Sequence, residues 1–170
     1  MKRLIPLVLL VTAVFPALSC AGKKKAPAPA GSVNFAQAVF KSSFEAAQRD
    51  DKFVIVDFYT DWCKWCKVLE EKTYPDPAVK QIMDESFIFE KYNPEEAPSF
   101  NHDGKTYGGA DVARAFNVRG FPTILFLEKD GTVIGSIPGF VPPEIFVKIL
   151  SFITSGEYKK TSFNDFLKTL

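Results

Sequence analysis

Two cysteines three residues apart, Cys63 and Cys66, are the side chains best equipped for chemistry in this sequence. They stand in the run Asp57-Phe58-Tyr59-Thr60-Asp61-Trp62-Cys63-Lys64-Trp65-Cys66-Lys67. Ahead of them lies the apolar stretch Phe53-Val54-Ile55-Val56, which reads as a buried strand; behind them Val68-Leu69-Glu70-Glu71-Lys72 reads as a helix. Cys63 therefore falls where strand gives way to helix. The unpaired N–H groups and macrodipole of a helix N-terminus stabilise an anion, which pushes a thiol there toward its nucleophilic thiolate. Lys64 and Lys67 add positive charge. Positions i and i+3 share one side of a helix, so Cys66 can reach back to Cys63. The spacing permits a reversible dithiol/disulfide couple.

Other uses of two cysteines fit less well. Tetrahedral zinc takes about four ligands, and the remaining stock is Cys20, remote in the sequence, and the single histidine, His102, in a polar segment that reads as an exposed loop. No metal is expected. Covalent haem attachment needs histidine directly after the second cysteine, and that residue is Lys67. No cofactor beyond the cysteine pair is expected. A static structural disulfide stays open as the alternative, because exported proteins keep such bonds.

The elements that must position the cysteines follow from local signals. Ser42-Ser43-Phe44-Glu45 has the form of a capping box for a helix to about Arg49, and Asp50-Asp51-Lys52 turns into a strand from Phe53 to Tyr59. Asp76 and Pro77 have the chemistry of an N-cap and first helical residue, opening a helix over Ala78 to Met83. Phe87 to Tyr92 reads as a strand. Residues 95–109 read as a long polar loop, in which Tyr107 is placed to line a substrate groove. Asp111 is expected to cap a helix from Val112 to about Asn117. Thr123–Leu127 and Thr132–Ile137 form strands joined at Lys129-Asp130-Gly131, and Pro142-Pro143-Glu144 opens a helix with Ile145, Phe146, Ile149, Leu150 and Ile153 at helical spacing. A short extra helix over Ser162 to Leu170 packs on the domain. The order is βαβαβ-type in the first half and a hairpin plus helix in the second, an α/β fold with a central mixed sheet flanked by helices.

Composition sets the outer bounds. A chain of 170 residues, 46% hydrophobic with 17 phenylalanines, can bury one good core. A formal net charge of +1 offers nucleic acid no electrostatic footprint. Met1-Lys2-Arg3 followed by an apolar run from Leu4 to Leu18 reads as a secretory leader over residues 1–19, since a membrane span takes about 18 to 20 apolar residues and this run is shorter. Cys20 directly after it resembles the lipidated cysteine of a bacterial lipoprotein, with Ala17 where the usual box carries an aliphatic residue. Ordinary cleavage beside Ala17 and Ser19 is the other outcome. Residues 20–32, rich in Lys, Ala and Pro, read as a flexible tether, residues 33–154 as the folded domain and 155–170 as its C-terminal helical extension.

The segment from Val56 to Lys67, with Val118-Arg119-Gly120-Phe121-Pro122-Thr123 further on, resembles the two signature segments of the thioredoxin superfamily. With Tyr74-Pro75-Asp76-Pro77 after the cysteine helix, the chain is most similar to secreted bacterial thioredoxin-like proteins and to the C-terminal thioredoxin domain of transmembrane disulfide-interchange reductases. The resemblance implies a thioredoxin fold and a set of roles. Cys63 matches the exposed attacking thiol and Cys66 the buried resolving thiol. Asp57 matches the buried carboxylate that shuttles a proton for Cys66, with a pKa raised by desolvation, and Lys91 matches a lysine that pairs with it. Pro122 matches a cis-proline beside the disulfide, which leaves the backbone of Phe121 free for an extended substrate, with Trp62 at the lip of the site. Lys64-Trp65 stands where cytosolic thioredoxins carry Gly-Pro, and these two positions tune the redox couple.

The implied function is an exported thiol:disulfide oxidoreductase of the periplasm or cell envelope, acting as a reductase through a mixed disulfide. Its partners would be protein or small-molecule disulfides and a membrane electron-donor protein, with the membrane itself reached through a lipid on Cys20 and no nucleic acid involved. A dithiol oxidase of the same fold, or a peptide-binding module with a structural disulfide, are the alternatives.

Overall fold

A computed structural model describes residues 33–170. The expected leader and tether, with Cys20, lie outside the described residues. In chain order the elements are α1 (Val33–Val39), α2 (Lys41–Asp50), β1 (Phe53–Phe58), α3 (Lys64–Lys72), α4 (Pro77–Ser86), β2 (Phe87–Tyr92), β3 (Phe100–His102), β4 (Lys105–Tyr107), α5 (Gly109–Ala115), β5 (Thr123–Leu127), β6 (Val133–Pro138), α6 (Pro143–Thr154) and α7 (Phe163–Leu167). Among the described residues no helix is long and apolar enough to cross a membrane.

The main sheet has the order β2-β1-β5-β6, with β1 parallel to β2 and antiparallel to β5, and β5 antiparallel to β6. Helices cover both faces, so β1 and β5 lack the apolar–polar alternation of a half-exposed strand. Side chains nevertheless alternate between two cores. Ile55, Ile124 and Phe126 join Leu69 of α3, Val79 of α4 and Phe146, Ile149 and Leu150 of α6 on one face. Val54, Val56, Phe58, Leu125 and Leu127 join Phe35 and Phe40, Phe44 of α2 and Val112 of α5 on the other. Asp57 is in phase with Ile55, so the alternation carries its carboxyl to the α3 face. The C-terminal helix docks there as well, through Phe163 against Phe126 and Phe152.

Several expectations need correcting. Ser42 and Ser43 lie inside α2, whose N-cap residue is Phe40 without a side-chain cap; the Ser43 hydroxyl donates to Glu90 instead. The capping pattern was outweighed by α1, an extra turn of chain that buries Phe35 and Ala36 and leads directly into α2. Two helices, α3 and α4, separate β1 from β2, as the Asp76-Pro77 signal implied, so the βαβαβ-type order of the first half holds. Residues 95–109 hold the hairpin β3–β4 rather than a structureless loop. Its residues Phe100, His102 and Tyr107 all pack on Phe35, with ring centroids 5.0–5.6 Å away. Tyr107 therefore serves the core and not the cysteine site, and His102 is partly buried rather than exposed. Asp111 is the third residue of α5, not its cap. Its carboxylate reaches back to accept the Gly108 N–H at 3.0 Å, and the helix starts at Gly109, where a Cβ would stand 2.2 Å from the Pro94 carbonyl oxygen.

Candidate active site

Cys63 is the N-cap of α3, in extended conformation, and its sulfur accepts the Cys66 N–H at 3.1 Å. The helix start thus spends one of its orphan donors on the sulfur itself, the arrangement that favours thiolate once the bond is reduced. Cys63 and Cys66 are joined as a disulfide. Cys66 is buried as expected, but Cys63, expected to be the exposed thiol, is buried too, its sulfur held in the disulfide and against the Cys66 N–H.

A ring of aromatic groups frames the pair. Trp62, 68% exposed, donates its indole N–H to the Glu95 carboxylate at 3.0–3.1 Å and meets Phe121 edge-on at 6.0 Å. Trp65, 55% exposed, lies 5.7 Å from Phe140. The Gly139 N–H donates to the Pro122 carbonyl at 2.8 Å, which ties the Phe140 segment to the Phe121-Pro122 turn. That turn contains a cis peptide bond. The cysteine segment and the proline segment are therefore bridged on two sides, by Trp62–Phe121 and by Trp65–Phe140. Lys64 and Lys67 project into solvent. Phe140 was not singled out in the sequence; a lone phenylalanine after Gly139 carries no signal of its position.

On β1, Asp57 is fully buried, and neither carboxyl oxygen has a hydrogen-bond partner. Burial lifts its pKa from 3.8 to about 6, opposed by the Tyr74 hydroxyl and the positive charge of Lys91 and reinforced by Glu70. Tyr74 lies close enough to counter the rise, yet in the present side-chain geometry no hydrogen bond joins the two groups. Lys91 is the direct neighbour of Asp57 across the β1–β2 pair, but its ammonium pairs with Glu70 and lies 4.0 Å from the Tyr59 ring centroid. The expected Lys91–Asp57 pair is replaced by Lys91–Glu70, because Glu70 meets the ammonium at the protein surface whereas Asp57 would require its full desolvation. Tyr59, Thr60, Asp61, Cys66, Lys67, Glu70 and Lys91 line a cleft that leads from solvent to the Cys66 side of the disulfide. Glu70 and Tyr74 are site residues that sequence reasoning missed. Their one available signal is position, Glu70 one helical turn after Cys66 and Tyr74 just beyond the end of α3.

A Cys-x-x-Cys disulfide at the start of a helix, on a four-stranded mixed sheet with helices on both faces, defines a protein of the thioredoxin-like class. The thioredoxin-like domain family matches residues 40–154, and the chain belongs to it. It is 33% identical over 104 residues to the thiol:disulfide interchange protein DsbD of Cronobacter sakazakii, a match over 59% of this chain and 16% of that protein. The chain thus corresponds to a small part of that relative's length. Among solved structures, the oxidised C-terminal domain of Neisseria meningitidis DsbD is similar with a TM-score of 0.51 and 26% identity, over 65% of this chain and 89% of that one. A thioredoxin-fold protein from Helicobacter pylori shares the fold, with a TM-score of 0.61 and 22% identity over 71% of this chain and 80% of that one.

Proposed function

We propose that this protein is an exported disulfide reductase in which Cys63 attacks and Cys66 resolves. The observation that carries the reading is the Cys63 sulfur seated as the N-cap of α3, where it accepts a backbone N–H. In the reduced enzyme the Cys63 thiolate attacks one sulfur of a substrate disulfide. A Cys63–substrate disulfide forms, and the other substrate sulfur leaves as a thiolate that takes up a proton. Cys66 yields its proton to Asp57 and attacks the Cys63 sulfur, which re-forms the Cys63–Cys66 disulfide and expels the second substrate sulfur. Two electrons pass from the cysteine pair to the substrate. A dithiol-bearing membrane protein is the electron donor that restores the reduced pair, in keeping with the resemblance to the disulfide-interchange domain. The disulfide is the redox group and no added cofactor takes part.

Trp62, Phe121 and Pro122 contact the substrate in this reading, and Lys64 and Trp65 set the thiolate stability. Export rests on the apolar leader, and attachment to the envelope on lipidation of Cys20; the mass of the mature N-terminus tests both, with an unmodified terminus beyond Cys20 ruling lipidation out. For the chemistry, Cys63→Ser is expected to abolish insulin reduction and Cys66→Ser to accumulate mixed disulfides. Full activity in the Cys63 variant overturns the mechanism. Equilibration of the pair with glutathione buffers gives the reduction potential, and a disulfide inert to such buffers means a structural cross-link instead.

A further inference from the structure

Three buried polar atoms with no hydrogen-bond partner sit on the α3 face of the sheet: both carboxyl oxygens of Asp57 and the hydroxyl oxygen of Tyr74. Buried polar groups are nearly always satisfied, and each exception calls for an explanation. The register places the two residues together. Along that face the rows of the β1–β2 pair run Phe53–Phe87, Ile55–Phe89 and Asp57–Lys91. The Tyr74 ring lies on Phe89 at 4.9 Å and on Phe146 at 5.9 Å, one row from Asp57, so its hydroxyl is buried under the sheet on the acid's side. The other candidate for Asp57, Lys91, is held away by Glu70 and Tyr59.

From this geometry we propose that Tyr74 is the positioning residue of the buried acid, its hydroxyl turning to donate to the Asp57 carboxylate whenever the acid is ionised. The ionised form has the greater need of that donor, since a bare buried carboxylate left unbonded costs far more than a neutral carboxyl left unbonded. When Asp57 is ionised and ready to accept the Cys66 proton, the Tyr74 hydroxyl is a neutral donor that acts on it. The charged groups acting on Asp57 are Lys91 from β2 and Glu70 from α3, with opposite effects; Ile124, its neighbour on β5, carries no charge. Tyr74 therefore controls the pH at which the resolving step gains its base. The burial of Tyr74 and the charge of Asp57 in turn raise the tyrosine's own pKa, so it remains a donor across the working range.

This inference rests on the proton-shuttle reading of Asp57, and the experiment separates the two. The rate of disulfide exchange is measured against pH for the full chain, for Tyr74→Phe and for Asp57→Asn. Tyr74→Phe removes only the hydroxyl and is expected to move the acid limb of the profile up by about one pH unit, with several-fold slower turnover near pH 6 and an unchanged rate near pH 9. A limb that stays in place, or moves down, while Asp57→Asn abolishes it, overturns the role of Tyr74 alone. A limb insensitive to Asp57→Asn overturns the shuttle reading beneath it. A second measurement does not depend on any variant folding. In the oxidised wild-type protein the Tyr74 ring-carbon NMR shift is expected to inflect at the pH where Asp57 titrates, and the absence of that inflection also overturns the proposal.

Discussion

Lys91 faces Asp57 directly across the parallel β1–β2 pair, yet its ammonium is bonded to Glu70. The two carboxylates compete for one cation, and the surface one wins. Lys91 is about one-third exposed where it meets Glu70, so it retains part of its hydration there and gains the face of Tyr59 as well. Asp57 feels the ion pair only through space, Lys91 favouring its ionised form and Glu70 opposing it.

The two halves of that ion pair are therefore expected to act in opposite directions. Lys91→Met should raise the Asp57 pKa and Glu70→Gln should lower it, each by about half a unit given the partial exposure of both groups. Carboxyl-carbon NMR titration of the oxidised protein reads the shift directly. A purely structural role for the pair would give the same sign in both variants, because each breaks the same bond.

Asp57 also carries a stability cost with a definite sign. Its folded pKa is about 6 against an ordinary 3.8, so between those values the folded state holds a proton that the unfolded chain has lost. Stability then falls as pH rises through this window and stays low above it. A gap of about two units corresponds to about 3 kcal/mol. Asp57→Asn is expected to stabilise the oxidised protein by up to that amount at pH 8 and by little at pH 3.5, as measured by urea denaturation at the two pH values. Equal effects at both would place the cost elsewhere.

Trp65 leaves more than half its surface in solvent beside the disulfide, held by Phe140, and large exposed aromatics beside a reactive site commonly mark a contact surface. Trp65→Ala is expected to slow reduction of protein disulfides several-fold and that of a small disulfide such as hydroxyethyl disulfide less, the loss common to both substrates measuring its effect on the thiolate and the excess its contact with the protein partner. Equal losses on both substrates would show that Trp65 acts on the thiolate alone.

What could be read from the sequence was what depends on neighbours in the chain. The strand before Cys63, the helix after it and the Asp76 cap need only local patterns, and all stand in the structure. The β1, β5 and β6 runs and the helix from Pro143 were legible for the same reason. Helix α1 was not, because Phe35 and Ala36 are buried by a hairpin some 65 residues further on, whose own strands of three residues are too short to show a period. In the site, the sulfurs and Asp57 announced themselves by motif. The partner of Lys91 did not, since the choice between Asp57 and Glu70 is made by differences in desolvation that exist only after folding. Tyr74 was hidden as well: it is an ordinary tyrosine before a proline until the sheet register brings it beside Asp57.

Gly135 on β6 offers a last test, of the C-terminal extension. A Cβ there would stand 2.6 Å from the Phe163 ring, and Phe163 is the buried anchor that holds α7 against Phe126 and Phe152. Gly135→Ala must displace the ring, with an expected loss of about 1–3 kcal/mol typical of overpacking. Phe163→Ala instead opens a cavity and is expected to cost about 3–5 kcal/mol. In the double variant the added methyl enters space the ring has vacated, so the two losses should not sum; the combined loss should be close to that of Phe163→Ala alone. Urea denaturation of the four proteins measures this coupling, and limited proteolysis in the 155–162 segment reports release of α7. Simple additivity would mean that the ring does not dock on Gly135 in solution. Gly135 lies on the edge strand β6 opposite Phe126, outside the cysteine and Pro122 segments, so disulfide exchange by the folded variants is expected to match that of the parent.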